Sequence, residues 1–185
     1  MEKVEKCIKY YAGIGSRETP KDVLKLMESI AKHLSKDKLI LRSGGAPGAD
    51  SAFEQGSHSS LKEIYLPWEL FNNNKSSLTS PDPKAFEIAK QVHPCWNKCS
   101  GAAKKLHARN VHQILGKDLN SPVSFVIYWA ETKNGLVQGG TATAVHLAKN
   151  LNIPTHNLKE KTIRKAWENI AKNSQETKKS SIPLL

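Results

Sequence analysis

Cysteine is scarce in this chain, with three in 185 residues. That is too few, and an odd number, for the disulfide framework of a secreted domain, and it points to a cytosolic, reducing compartment. No apolar run approaches the ~20 residues a membrane span requires. The opening MEKVEKCIKYYAGIG carries acidic residues and lacks an apolar core segment, so no signal peptide is expected. Like charges never gather into a block of five or six, which excludes a polybasic or acidic tail. A third glycine is also missing from the first glycine turn, where Gly13-Ile-Gly15 is followed by Glu18. That departure argues against a standard NAD fingerprint.

What is present is a balanced globular composition, 38% hydrophobic and 24% charged, with a net charge of +11. The excess grows along the chain: residues 1–68 carry 11 basic and 9 acidic side chains, 69–122 carry 8 and 4, and 123–185 carry 9 and 4. Such a surface suits a polyanionic partner, nucleic acid or nucleotide phosphate, and equally a lysine-rich solvated exterior. The length fits one domain with a full core.

The chain is organised around Leu39-Ile-Leu-Arg-Ser-Gly-Gly-Ala-Pro-Gly-Ala-Asp50. An apolar run ends at Arg42, glycines and a proline follow, and helical spacing begins at Asp50. Strand, glycine turn and helix in that order aim backbone N–H groups and a positive helix end at an anion. A second such turn is Gly13-Ile-Gly-Ser-Arg17. It follows a strand expected over Cys7–Ala12 and precedes a helix capped by Thr19, with Pro20 at its first position, that runs to about Lys36. Further strands are expected at Lys62–Pro67, Pro122–Trp129 and Ile153–His156. Helices are expected from Asp50 to about Gly56, over Pro83–Val92 and Gly101–Leu115, through Ala144–Ala148 after Gly139-Gly140, and over Ile163–Ala171. Alternation of this kind gives a doubly wound, mainly parallel α/β sheet, Rossmann-like, in one domain over residues 1–172. A helical insertion is expected at about 69–104 and a flexible tail over 173–185. Three glycine turns then fall at carboxyl ends of strands, where open parallel sheets bind ligands.

Within those turns Arg17 and Arg42 suit phosphate contacts, with surface salt bridges as the plain alternative. Ser16 and Ser43 could donate to phosphate or cap turns, and Asp50 could hold a ribose hydroxyl or cap its helix. Trp68 and Trp96, flanking the insertion, could stack bases, whereas Trp129 belongs to the core. His93-Pro-Cys95-x-x-x-Cys99 with His107 has zinc-ligand residue types, but the spacing is not Cys-x-x-Cys. No metal and no cofactor are therefore expected, with a metal on Cys95 or Cys99 left open.

Gly15-Ser-Arg17 with Thr19, and Ser43-Gly44-Gly45-Ala-x-Gly48-x-Asp50, resemble the Rossmann-like domain of the DNA-processing protein A family. Ala108-Arg109-Asn110 and Gly139-Gly140-Thr141-Ala-Thr143-Ala144 are similar to that family's arginine–asparagine helix and small-residue turn. The same second half is similar to the LONELY GUY phosphoribohydrolases of the same superfamily (SLOG), through Leu106-His-Ala-Arg109 and Gly139-Gly-Thr-Ala-Thr143. The resemblance implies a crevice formed by these residues that binds a nucleotide or nucleotide-derived phosphate, or alternatively single-stranded DNA, and a homodimer. N-glycosidase chemistry is the enzymatic alternative. The phosphoribohydrolases' glutamate corresponds to His146 and the proline of their turn to Gln138, so that chemistry would need Glu131 or Glu54 as the carboxylate.

Overall fold

Alternation along the strands sorts side chains onto two sides of one sheet. The computed structural model describes residues 9–176. In strand β1 (Tyr10–Gly15), Tyr11 enters one core, with Leu41 and Ile127, while Ala12 and Ile14 enter the other, with Val126 and Tyr128. Strand β4 (Phe125–Trp129) divides in the same way. A strand buried on both faces reads as a continuous apolar run, which is why Phe125-Val-Ile-Tyr-Trp is so legible.

Five parallel strands lie in the order β3-β2-β1-β4-β7, with β2 at Ile40–Ser43, β3 at Lys62–Ile64 and β7 at Thr155–Asn157. One face carries α1 (Lys21–Lys36), α2 (Ala49–Gly56) and α6 (Lys161–Glu176), which supply Met27, Ile30, Phe53 and Trp167 to their core. The other carries α3 (Pro83–Val92), α4 (Gly101–Leu115) and α5 (Ala142–Asn150). Helices on both faces of a mainly parallel sheet make the Rossmann-like α/β fold. The chain steps outward from β1 through β2 to β3, then returns to β4 on the other side of β1. The winding reverses between β1 and β4, where crevices open in sheets of this kind.

Local chemistry explains the ends of the elements. Asp82 accepts the Lys84 N–H at 2.8 Å and Ser100 Oγ accepts the Ala103 N–H at 3.2 Å, capping α3 and α4. Helix α1 differs from expectation: Pro20 stands at its cap, and the Thr19 hydroxyl turns back to donate to the Ser16 carbonyl at 2.7 Å. Helix α2 begins at Ala49 rather than Asp50, with Gly48 at its cap. Strand β3 is shorter than the expected Lys62–Pro67 because the Leu66 N–H leaves the sheet for the Leu78 carbonyl in the insertion. Helix α6 begins two residues before the expected Ile163 and runs five past Ala171, to Glu176. The expected start of β1 at Cys7 and Ile8, and residues 177–185 of the expected tail, lie outside the described residues.

One element goes beyond the expected set, an antiparallel hairpin of β5 (Thr132–Lys133) and β6 (Leu136–Val137). Its two-residue turn is Asn134-Gly135, with φ of 51° and 76°, the left-handed pair that Asn-Gly supplies and the strongest short-range hairpin signal in a sequence.

Candidate functional site

Two chain segments leave the switch point side by side. The register pairs Gly15 at the end of β1 with Trp129 at the end of β4. After Gly15 the chain runs through Ser16, Arg17 and Glu18; after β4 it passes through the hairpin and returns as Gln138-Gly139-Gly140-Thr141. Together with Ala46 and Asp50 from the β2–α2 turn and Leu106, Arg109, Asn110 and Gln113 from α4, they enclose a crevice of about 390 Å³. The three glycine turns therefore do converge on one edge.

Arg109 and Asp50 form the floor. Both are almost wholly buried, and Arg109 Nη1 donates to Asp50 Oδ2 at 3.3 Å. Burial raises the Asp50 carboxyl, while the guanidinium and the N–H groups of Ala46 and Gly15 oppose that rise. Burial also pulls Arg109 down, yet a guanidinium stays protonated at any ordinary pH. Among the described residues the buried Arg109 Nε has no hydrogen-bond partner, and an unmet buried donor is costly.

The guanidinium can lie where it does because Gly44 has no side chain. A Cβ there would stand 1.2 Å from Arg109 Nη1 and 2.5 Å from Gln113 Nε2. Gly48 adopts φ 85°, and a Cβ on it would meet the Ser16 carbonyl oxygen at 2.8 Å. These glycines let the first two turns and α4 pack against one another, so their role here is to seat Arg109 and close the crevice floor.

On the far wall, Asn110 Nδ2 donates to the Gly140 carbonyl at 2.6 Å, and Thr143 Oγ1 is bonded to His107 Nδ1 at 2.9 Å. Both bonds tie α4 to the turn that opens α5. His107 is lowered to about 4 by burial, with the Arg109 guanidinium adding to it, and is neutral at pH 7. His146, on α5, is likewise pushed down by burial and by Lys149 and His93.

Of the residues anticipated from the sequence, Gly15, Ser16, Arg17, Asp50, Arg109, Asn110, Gly139, Gly140 and Thr141 line the crevice. Others stand behind it. Ser43 donates to the Gly13 carbonyl at 2.7 Å, Gly45 accepts from Asn72 Nδ2 at 3.0 Å, and Thr143 is buried against His107. Arg42 lies furthest from its expected place. Its side chain lies on the face covered by α4, donating from Nε to Glu63 at 2.7 Å and from Nη1 to the Ser121 carbonyl, with the guanidinium 3.8 Å from the Tyr10 ring centroid. In this position it packs and does not line the crevice. Arg42→Ala should lower stability by about 2 kcal/mol through lost hydrogen bonds and stem packing, measured by urea denaturation, while any ligand affinity of the crevice stays unchanged.

The two carboxylates considered for catalysis also stand outside the crevice lining. Glu54 is held by Lys62 at 3.2 Å and Asn74 at 2.9 Å, and the exposed Glu131 is paired with Lys159. Of the tryptophans, Trp68 packs edge-on to Phe71 and Trp96 lies under Lys104, neither on the crevice, while Trp129 is core as expected. The lining residues that were not candidate ligand residues from the sequence are Ile14, Glu18, Ala46, Leu106, Gln113 and Gln138. For Leu106 and Gln113 a signal exists: with Arg109 and Asn110 they repeat at i, i+3, i+4 and i+7, one face of a helix.

No protein-family model matches the chain, and no curated protein matches it. Solved structures do. The structure of DNA processing protein A from Helicobacter pylori, described for its single-stranded DNA binding mode, matches with a TM-score of 0.57 at 14% identity, over 91% of this chain and 81% of that one. DNA processing protein A from Streptococcus pneumoniae gives 0.44 at 15% identity, over 80% and 49%. At the first of these values the likeness is one of fold.

Proposed function

We propose that the crevice between β1 and β4 binds the phosphate of a nucleotide or nucleotide-derived ligand. The observation that carries this reading is Arg109, a buried guanidinium at the switch point whose Nε has no partner among the described residues. Formal charges around the crevice balance, Arg17 and Arg109 against Glu18 and Asp50, so preference for an anion has to come from placement. Asp50 is engaged by Arg109 and by backbone N–H groups, and Glu18 lies exposed at the rim. Arg17, also exposed, has no ion pair among the described residues and lies close enough to Arg109 to disfavour its charge. An anion between the two guanidinium groups would relieve that repulsion and take charge-assisted hydrogen bonds from both.

A second reading, in which the bound phosphate belongs to single-stranded DNA, is favoured by the fold likeness to a protein described for that binding and by the net charge of +11. The two readings differ in salt and length dependence. A strand held at several phosphates loses affinity with log K falling ~0.7 per contact against log salt, and binds more tightly as oligomers lengthen to the site size. A mononucleotide in the crevice has a shallow slope and no gain with length, which is the result expected. Tight, length-dependent binding to oligonucleotides with no measurable binding of mononucleotides would replace the first reading by the second. The N-glycosidase alternative has little support, because the carboxylates that line the crevice are Glu18 and Asp50, and Asp50 is already committed to Arg109.

A further inference from the structure

Behind the crevice wall three donor side chains from separate parts of the chain meet. His93 follows α3, Cys99 ends a short 3-10 turn at Trp96–Lys98, and His107 lies in the second turn of α4. One ligand atom from each falls within 4.8 Å of the others. Cys99 Sγ is 3.9 Å from both ring nitrogens of His93, and the His93 and His107 ring centroids are 4.3 Å apart. In a tetrahedral zinc site with Zn–S and Zn–N bonds of ordinary length, ligand atoms stand about 3.5 Å apart. The trio is thus within a few tenths of an ångström of that spacing on its closest edge.

We infer that His93, Cys99 and His107 bind a zinc-class divalent cation that staples the insertion to α4. Two histidines and one thiolate are the donors that borderline-soft cations select, and they discriminate against magnesium and calcium, which take oxygen. The His107 ring is already held in a ligating orientation. Its Nδ1 is engaged by Thr143 Oγ1 at 2.9 Å, leaving Nε2 as the coordinating atom, the arrangement in which an outer hydrogen bond fixes a ligand histidine. His93 Nδ1 accepts a Cys95 N–H at 3.2 Å, a weak bond that a cation on that nitrogen would replace. Three protein donors leave the fourth position of a tetrahedral site to a water. Binding displaces the Cys99 thiol proton to solvent. Four positions after Cys95, Cys99 gives no zinc-finger spacing, and only the fold brings His107 to it.

The test is cobalt and zinc titration of the full chain after chelator dialysis. One equivalent of cobalt should give a thiolate-to-metal charge-transfer band. That band should be lost in Cys99→Ser, and zinc affinity should fall at least about 10-fold in His107→Gln and about 10- to 100-fold in Thr143→Val, the range for removing a ligand's outer partner. His58→Ala, at an exposed histidine elsewhere, should change nothing. Circular dichroism of each apo variant separates lost metal binding from lost fold. A wild-type protein with no charge-transfer band, or with zinc affinity undiminished in a folded His107→Gln, overturns the inference.

Discussion

Arg109→Ala is expected to cost about 3–5 kcal/mol of folding stability, the usual penalty for removing one partner of a buried ion pair. The reason lies in what remains. Asp50 is almost wholly buried and would keep only the Ala46 and Gly15 N–H groups, so its charge would have to be carried unpaired or neutralised by a proton. Asp50→Leu with Arg109→Met in the same chain should recover most of that loss, because apolar side chains of similar volume often replace a buried pair without penalty. Binding of a phosphate ligand should nevertheless be lost in both proteins. Urea denaturation checks the first part and ligand titration the second. A double variant that folds well and still binds would remove Arg109 from the binding site.

Gly44→Ala is expected to be as damaging, by a steric route. The added carbon would stand 1.2 Å from Arg109 Nη1 and 2.4 Å from its Cζ, so the guanidinium has to leave its place beside Asp50. Its position is bounded by Asp50 at 3.3 Å and by Gln113, which the same Cβ would meet at 2.5 Å. Overpacking a tight core costs typically 1–3 kcal/mol, and displacement of Arg109 from Asp50 adds part of the ion-pair loss. Thermal denaturation should show a fall of several degrees or a failure to accumulate folded protein. By contrast, alanine at Gly140, where nothing lies within 4 Å of an added Cβ, should leave stability nearly unchanged.

The contrast between those two glycines shows what a sequence can and cannot say. Both look like phosphate-cradling positions, because a glycine after a strand has the same appearance whether it admits a ligand or an arginine from a distant helix. Gly140 lines the crevice; Gly44 makes room for Arg109, 65 positions further along the chain. The same ambiguity misplaces Arg42. Its position at the end of β2 resembles a loop-edge phosphate contact, but alternation along β2 turns it onto the face covered by α4, against Tyr10, Glu63 and Gly116 at the carboxyl end of that helix. Strand parity carries that information in the sequence. The sheet itself is legible because apolar strands alternate with periodic helices, and α3 and α4 are readable to the residue because a proline opens one and a glycine the other. The Asn134-Gly135 pair signals its hairpin just as strongly. The meeting of His93, Cys99 and His107 has no such signal, since it depends on how the insertion folds back on α4.

The most direct test of phosphate binding in the crevice is an amide chemical-shift titration of the protein with a nucleoside monophosphate, followed at low salt. The largest shifts should cluster at Gly15–Glu18, Ala46 and Gly139–Thr141, with the Arg109 Nε–H moving as it acquires an acceptor, and Arg17→Ala should weaken the binding. Saturating ligand that leaves these amides in place, or that shifts instead the opposite face around Lys32, Gln55 and His58, would contradict it.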